Sequence, residues 1–390
     1  MSIWNYLKYT PRMFYKRGAM PLYFVFFVTE NCNAHCSHCL LGQRTEWVKD
    51  ELTVDEIEKI SASMGDMLFF TPTGGEPFIR KDLAEIVHIF KVNNHAANVG
   101  IPTNGSLTGR IVETTETMLR QNPNIDLHID VSIDGIGEDH DRIRNTPGLF
   151  DKAVRTYKEL RRLEKHYPNF SVCVQITVSA LNQDRLLPLY DYLGKELGVN
   201  TVFTLLTRGE PADPMTKDFD IARYEELHRA LERDNKARIL SGYYKMPFSD
   251  VLNAKRIVRP RIIAKTVREN RYQIPCYAGT LGGAMFSRGQ VLPCEVRPDR
   301  MIANVRDYDY DFGKVWFSQR ADEMRRDIRE TKCFCTYECF LTVNILFNPL
   351  VLPQVFKEYL ALKAAKVRHR ISPLESGRLH EGVAKPAHEE

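Results

Sequence analysis

The first half of the chain alternates short runs of apolar and β-branched residues with stretches in which apolar residues recur at helical spacing. The short runs predict six β-strands, which cover residues 22–29, 67–73, 98–103, 126–133, 171–179 and 201–206. Thr53 and Glu56 have the spacing of a capping box and predict the start of the first helix. Six strand–helix repeats predict a parallel sheet with helical crossovers.

In the fourth and fifth runs every second residue is polar. The polar positions are Asp126, His128, Asp130, Ser132 and Asp134 in the fourth run, and Cys173, Gln175 and Thr177 in the fifth. A strand of a doubly wound sheet is covered by helices on both faces and is apolar throughout. We therefore expect an α/β fold with a partial (β/α)6 barrel of the TIM type, whose polar lumen is the active site. A sheet with one exposed face is the alternative.

The chain has nine cysteines, and eight of them are grouped, which suggests a chemical role for them. Three lie at positions 32, 36 and 39, directly after the first predicted strand, and five lie at positions 276, 294, 333, 335 and 339. An odd count in a long chain without a secretory signal argues against a disulfide scaffold. Grouped thiols in a reducing compartment indicate metal, and their spacing fits either zinc or an iron–sulfur cluster.

The 390 residues are 43% hydrophobic and 27% charged, with a formal charge of +4. The length favours one main domain with smaller units, and the weak net charge argues against a nucleic-acid binder. The patterns predict five parts. They are an aromatic and basic arm over 1–20, the barrel over 21–210, a helical linker over 211–271, a small cysteine-rich α+β domain over 272–345, and a basic helix with a flexible tail over 346–390.

Four motifs follow one another at the predicted strand ends. They are Cys32-x3-Cys36-x2-Cys39, the Gly74-Gly75-Glu76-Pro77 segment, Thr103-Asn104-Gly105, and Ser132-Ile-Asp-Gly135 with His140, Asp141 and Arg144. In this order they resemble the radical SAM superfamily over about residues 20–210. The resemblance implies a [4Fe–4S] cluster on Cys32, Cys36 and Cys39. It also implies S-adenosylmethionine (AdoMet) on the fourth iron, cleaved reductively to a 5′-deoxyadenosyl radical that abstracts a substrate hydrogen.

The same resemblance suggests the residues that handle AdoMet. Gly74, Gly75 and Glu76 would bind its amino group, although the glutamate could instead shape the loop. Asn104 and Ser132 would contact its polar groups, and Arg144 would pair with its carboxylate; an ordinary surface arginine is the alternative. We expect Glu76, Ser132 and Arg144 to be the catalytic side chains.

The second cysteine group resembles the twitch and SPASM extensions of this superfamily. Cys276, Gly289 and Cys294 match their CX9–15GX4C opening, and Cys335 and Cys339 match their CX3C piece. Five thiols suffice for one auxiliary [4Fe–4S] cluster, and Cys339 is the expected late ligand. Spacing leaves Cys333 and Cys335 as alternatives for the fourth, and a zinc knuckle is the alternative to a cluster.

These features predict a cytoplasmic enzyme reduced by a flavodoxin- or ferredoxin-type protein, with a small-molecule, sugar, lipid-precursor or peptide substrate. The auxiliary cluster would transfer electrons or bind substrate. The aromatic and basic arm, with the basic stretches over 255–271 and 355–370, also suggests peripheral contact with a membrane at its inner surface. An arm packed across the open end of the barrel is the alternative. A non-catalytic iron–sulfur or zinc protein that carries electrons is the alternative from another functional class.

Overall fold

The computed structural model describes residues 8–16, 18–42, 46–240 and 249–371. One nine-stranded sheet runs through it in the order β6-β5-β4-β3-β2-β1-β7-β8-β9. The strands are β1 (Tyr23–Thr29), β2 (Phe69–Gly74), β3 (Asn98–Thr103), β4 (Asp126–Ser132), β5 (Phe170–Val178), β6 (Val202–Leu206), β7 (Gly282–Met285), β8 (Gln290–Leu292) and β9 (Ala303–Asn304). All neighbours from β6 to β7 pair in parallel.

Twelve α-helices connect and cover these strands in the part of the chain that the structure describes. They are α1 (Val54–Ala62), α2 (Leu83–Asn94), α3 (Thr108–Gln121), α4 (Glu138–Ile143), α5 (Leu149–Glu164), α6 (Leu186–Lys195), α7 (Ile221–Lys236), α8 (Ser249–Glu269), α9 (Phe312–Trp316), α10 (Gln319–Glu330), α11 (Glu338–Leu346) and α12 (Leu352–Ile371). The capping box predicted at the start of α1 is present. None of these helices is long and apolar enough to cross a membrane.

The main core lies between the sheet and its outer helices. The alternation predicted for β4 and β5 is observed: their aliphatic residues join this core, and their polar residues point to the other side, where several line a cavity. In β1 both faces are apolar but serve different cores. Phe24 and Phe26 pack in the main core, whereas Val25 and Phe27 pack against residues of the cysteine-rich segment.

The barrel is partial, as predicted, because β6 and β1 do not pair in the described sheet. Helices α8 and α11 lie across this opening. The Glu338 carboxylate at the start of α11 accepts a hydrogen bond from the Leu206 backbone N–H at the end of β6, at 2.9 Å. Two residues further, the Phe340 ring meets the Tyr23 ring of β1 with 6.0 Å between centroids. The two helices thereby enclose the lumen on its open side.

The cysteine-rich segment continues the barrel sheet, since β7 pairs in parallel with β1. Its antiparallel β7–β8–β9 ribbon and helices α9 to α11 make the α+β unit expected after the barrel. The five domain boundaries remain predictions. Residues 1–7 of the expected arm and 372–390 of the expected tail lie outside the described residues.

Candidate active site

The first cysteine group occupies the loop that leaves the carboxyl end of β1. Backbone hydrogen bonds fasten this loop to the segment after α4: His35 N donates to Arg144 O at 3.3 Å, and Ser37 N donates to Ile143 O at 3.1 Å. Cys32, Cys36 and Cys39 all line the main cavity. Among the described residues, no three His, Cys, Asp or Glu side chains are grouped closely enough to hold a single metal ion.

The Gly74–Gly75 pair lets the end of β2 approach this loop closely. Gly74 has φ +143°, and a Cβ atom there would lie 1.8 Å from the Thr29 carbonyl oxygen. A Cβ on Gly75 would lie 2.1 Å from the Asn31 oxygen and 2.9 Å from Cys32 Cβ. Only glycine avoids these overlaps. The backbone of β2 therefore stands directly beside the first cysteine of the loop.

Glu76 is fully buried and shapes this region. Its carboxylate accepts hydrogen bonds from the Thr103 hydroxyl at 2.8 Å and from the Asn104 backbone N–H at 2.7 Å, which ties the end of β2 to the end of β3. Burial raises the pKa of Glu76 to about 7, and these hydrogen bonds oppose that shift. Gly74 and Gly75 line the cavity, while the Glu76 carboxylate is used within the loop.

Arg144 is buried rather than on the surface, with 5% of its area exposed. Its Nε lies 2.7 Å from Asp134 Oδ2, and its Nη1 lies 3.7 Å from Cys36 Sγ. Burial raises the pKa of Cys36 to about 12, and the Arg144 charge opposes this. A thiol binds metal as the thiolate, so the arginine favours the form of Cys36 that a cluster requires.

The remaining residues expected to bind AdoMet also lie at this end. Asn104 Nδ2 is 3.9 Å from Cys32 Sγ and 2.9 Å from Asn33 Oδ1. Ser132 is buried at the carboxyl end of β4 and lines the same cavity. The structure thus brings all the predicted residues of the first four motifs to one end of the barrel, where parallel α/β enzymes place their chemistry.

The cavity that begins at this loop continues down the lumen and has a volume of about 300 Å³. At the opposite end its wall includes the first residues of the strands, such as Asn98 and Phe203. His128 and Asp130 face it from β4, with 3.7 Å between Nε2 and Oδ2. Burial raises the pKa of Asp130 to about 7 and lowers that of His128 to about 3. Cys173, expected in the lumen, is fully buried, is hydrogen-bonded to Asp130 and does not line the described cavity.

The late cysteines divide into two places. Cys276, Cys294, Cys333 and Cys335 line one small enclosed pocket. Cys339 lies on the side of the main cavity and is hydrogen-bonded to the Tyr23 hydroxyl. Sequence spacing made Cys339 the expected late ligand and treated Cys333 and Cys335 as alternatives, whereas the fold groups those two together.

Two carboxylates next to late cysteines share one buried arginine. Arg208 reaches Glu338 Oε2 at 3.1 Å and Glu295 Oε1 at 3.4 Å. All three side chains line the cavity. Sequence reasoning missed this group, although each glutamate stands beside a cysteine that had been singled out, Cys294 or Cys339.

The basic stretch over 255–271 corrects one expectation. Lys255, Arg256 and Arg259 had been assigned to a surface that contacts membrane, but they are 4%, 9% and 8% exposed. That placement was wrong for these three, because α8 packs across the barrel opening. Lys255 and Arg259 line the cavity.

Comparisons with known proteins agree with this geometry. The sequence profile of the Radical SAM superfamily matches residues 26–193. The chain is 29% identical over 333 residues to an AdoMet-dependent heme synthase of Methanosarcina barkeri, which covers 79% of this chain and 85% of that protein. It is 24% identical over 324 residues to an AdoMet-dependent heme synthase of Oleidesulfovibrio alaskensis, covering 77% of this chain and 75% of that one.

The fold is also similar to that of anSMEcpe, solved with bound AdoMet and a Cp18Cys peptide. The TM-score is 0.54 at 16% identity, covering 90% of this chain and all of that one. The profile, these relatives and the shared architecture favour an enzyme over a non-catalytic carrier. Residues 26–193 form a radical SAM domain, and the chain is an enzyme of the radical SAM superfamily.

Proposed function

We propose that this enzyme abstracts a hydrogen atom from a small organic substrate held in the barrel lumen, with an auxiliary [4Fe–4S] cluster beside it. One observation carries the proposal. A single cavity joins the Cys32–Cys39 loop and the Gly74–Gly75 backbone to a polar lumen enclosed by α8 and α11. A cofactor at the loop and a substrate in the lumen would be neighbours, and α8 and α11 would shield the open side of the barrel from water, which favours radical chemistry.

Cys32, Cys36 and Cys39 would hold the catalytic cluster. When bound, the reduced cluster supplies an electron that cleaves AdoMet to the 5′-deoxyadenosyl radical. The Gly75 backbone would receive the AdoMet amino group, and Asn104 and Ser132 would contact its polar groups. Arg144 has one face on Asp134 and another near Cys36, so it would orient the loop while pairing with the AdoMet carboxylate. Glu76 acts as a positioning residue, since its oxygens are occupied within the loop.

For the auxiliary cluster, the ligand set supported by the fold is Cys276, Cys294, Cys333 and Cys335, which share one pocket. Four protein thiolates leave no iron open, so this cluster would transfer electrons rather than bind substrate. Cys339 would be the spare thiol. Its side chain faces the main cavity together with Tyr23 and Tyr337.

The substrate class is narrowed by the cavity and by the relatives. The lumen wall combines polar side chains, such as His128 and Gln175, with aromatic ones, such as Phe203, which suits a compact organic molecule that carries polar groups. Two relatives that cover more than three quarters of the chain are named for heme synthesis. A small molecule related to heme precursors is therefore preferred here over a sugar, a lipid precursor or a peptide.

An acidic electron carrier of the flavodoxin or ferredoxin type would supply electrons. A second groove, lined by Cys276, carries Lys16, Arg325, Arg326 and Arg329, with Asp322 as its one acidic side chain. A basic groove next to a cluster ligand suits an acidic protein partner. Raising the ionic strength should slow reduction by flavodoxin and leave reduction by dithionite unchanged.

Contact with the inner surface of a membrane would use the arm. Phe14 and Tyr15 are 73% and 77% exposed, and Lys16 adds a positive charge nearby. Removal of residues 1–18 should abolish binding to anionic liposomes. Equal liposome binding before and after the deletion would contradict the proposed membrane contact of this otherwise cytoplasmic protein.

The central experiment is anaerobic reconstitution with iron and sulfide, followed by dithionite and AdoMet. The expected result is 5′-deoxyadenosine and methionine in the wild type and background levels in Cys36→Ala. Substrates are then screened by deuterium transfer into 5′-deoxyadenosine, beginning with heme precursors. A wild-type protein that binds iron but releases no 5′-deoxyadenosine above the variant would contradict the proposed activity.

A further inference from the structure

We propose that Lys255 and Arg259 form an anion subsite on the α8 wall of the lumen, and that the substrate carries a carboxylate or phosphate group that binds there. The inference rests on the proposed function, because it assigns a binding group to the substrate of that reaction. It begins with three basic residues, Lys255, Arg256 and Arg259, that the helix crossing the barrel opening buries.

Helical spacing turns two of these side chains into the cavity. Lys255 and Arg259 are four residues apart and therefore share one face of α8. Leu252, one turn earlier, lies on the same face, and all three line the lumen. Arg256 points elsewhere: its Nη2 donates to the Val202 carbonyl, and its guanidinium lies 4.6 Å from the Phe203 ring centroid.

Neither cavity-facing cation has a carboxylate partner within ion-pair distance among the described residues. Lys255 Nζ donates to the Thr342 hydroxyl at 3.2 Å. Arg259 Nη1 donates to the Glu338 main-chain oxygen at 3.4 Å, and its Nε lacks a hydrogen-bond partner in the described structure. A buried cation without a counter-charge is costly, by several kcal/mol in typical cases, so such a pair inside a cavity indicates an anionic ligand.

The nearest acidic side chains of the cavity are in direct contact with another cation. Glu295 and Glu338 both pair with Arg208, and Glu338 also accepts from the Leu206 N–H. The Arg259 charge acts on Glu338 without an ion-pair contact between the two side chains. Asp130 lies opposite, and burial keeps its pKa near 7. Desolvation, together with the neighbouring arginines, lowers the pKa of Lys255 well below its ordinary value, as expected of an ammonium group that lacks its counter-ion.

The pair lies along α8, beside β6. The neighbouring Arg256 donates to the Val202 carbonyl at the start of β6, whereas Arg259 donates to the main-chain oxygen of Glu338, whose carboxylate accepts from the Leu206 N–H at the end of β6. A substrate whose anionic group is bound by Lys255 and Arg259 would lie against the α8 wall and extend its opposite end toward the Cys32–Cys39 loop. The subsite would thus select the carbon that faces the cofactor.

The test is anion binding to the reconstituted enzyme, measured by its melting temperature against ligand concentration. The probes are glutarate as the carboxylate, inorganic phosphate as the phosphate, and glutaramide as the neutral analogue of glutarate. We expect saturable stabilisation by at least one anion and none by glutaramide. The anion that binds more tightly identifies the chemical class of the substrate's anionic group, carboxylate or phosphate.

Variants assign the binding to the two residues. Lys255→Met and Arg259→Met should each raise the dissociation constant of the bound anion by about tenfold or more, since each removes a charged hydrogen bond. Lys255→Arg should restore part of the affinity. Lys265→Met is the matched control on the exposed side of the same helix, and it should bind like the wild type.

Absence of anion stabilisation, equal stabilisation by glutaramide, or equal affinity in all variants would overturn the subsite. Formation of 5′-deoxyadenosine by the wild type is measured on the same preparation. If it forms while anion binding is absent or unaltered by the variants, only the subsite fails. If it does not form, the proposed activity fails whatever the anions do.

Discussion

The two cysteine groups of this enzyme both lie near β1 but are built in opposite ways. Cys32, Cys36 and Cys39 come from one loop, whose shape depends on the Gly74–Gly75 backbone beside it. The thiols of the late pocket come from separate segments between residues 276 and 335. The first group therefore depends on the shape of one loop, whereas the late group depends on the packing of distant segments.

Their surroundings differ in the same sense. The first group faces a polar cavity, and the Arg144 guanidinium lies 3.7 Å from one of its thiols. The late group packs with a second apolar core that includes Val25, Phe27 and Phe340. Thiols that face a polar cavity near a cation suit a cluster that binds a further ligand, while thiols packed in an apolar shell suit electron transfer. The polarity of the surroundings therefore distinguishes the two groups, since their thiols are similarly exposed except for the buried Cys294.

The largest effect is expected from Cys36→Ala, which removes a thiol of the first group. Loss of one of only three ligands should reduce 5′-deoxyadenosine formation by about 100-fold or more, by analogy with other residues on which chemistry depends. The measurement is product release under dithionite. Iron near four per chain, instead of about eight with both clusters, would show that the late site still assembles. Activity close to the wild type would contradict the assignment of the first loop.

The next prediction separates Cys335 from Cys339. Cys335→Ala should lower iron from about eight to about four per chain, whereas Cys339→Ala should keep about eight. Iron and sulfide analysis with electron paramagnetic resonance measures both. The two variants serve as controls for each other, because each removes one thiol from the same short segment. The reverse result would restore Cys339 as the ligand that sequence spacing favoured.

A smaller effect is expected from Glu76→Gln. An amide nitrogen cannot accept the hydrogen bonds that the carboxylate oxygens receive from Thr103 and Asn104. At least one buried donor loses its partner, which should destabilise the protein by about 1–3 kcal/mol. Thermal unfolding without cofactors measures this change. The exposed Glu58→Gln should shift stability by no more than about 0.5 kcal/mol, and equal shifts would argue against a positioning role.

The smallest effect concerns pH and Asp130. Because burial raises its pKa from 3.8 to about 7, the folded protein retains a proton that the unfolded chain releases above pH 3.8. Its contribution to stability is therefore complete at low pH and falls as pH rises through about 7. Melting temperatures between pH 5 and pH 8 should decline less in Asp130→Asn than in the wild type. Parallel declines would show that Asp130 ionises normally.

Much of this architecture could be predicted from local patterns. The six strands of the barrel begin and end within two residues of the predicted runs, and the polar faces of β4 and β5 point into the cavity as expected. The motif residues gather at one end because each follows a parallel strand. The burial of Arg144 could not be predicted, since it depends on Asp134 and on the docked cysteine loop.

The superfamily, the barrel and the loop that carries Cys32, Cys36 and Cys39 could be predicted from local motifs, because these depend on residues that are close along the chain. The fold was needed to show that β7 continues the barrel sheet, that Cys333 and Cys335 share a pocket, and that Lys255 and Arg259 line the lumen. Those arrangements depend on α8 and α11 lying across the gap between β6 and β1. Contacts between segments so distant in sequence are set by packing, and neither spacing nor periodicity encodes them.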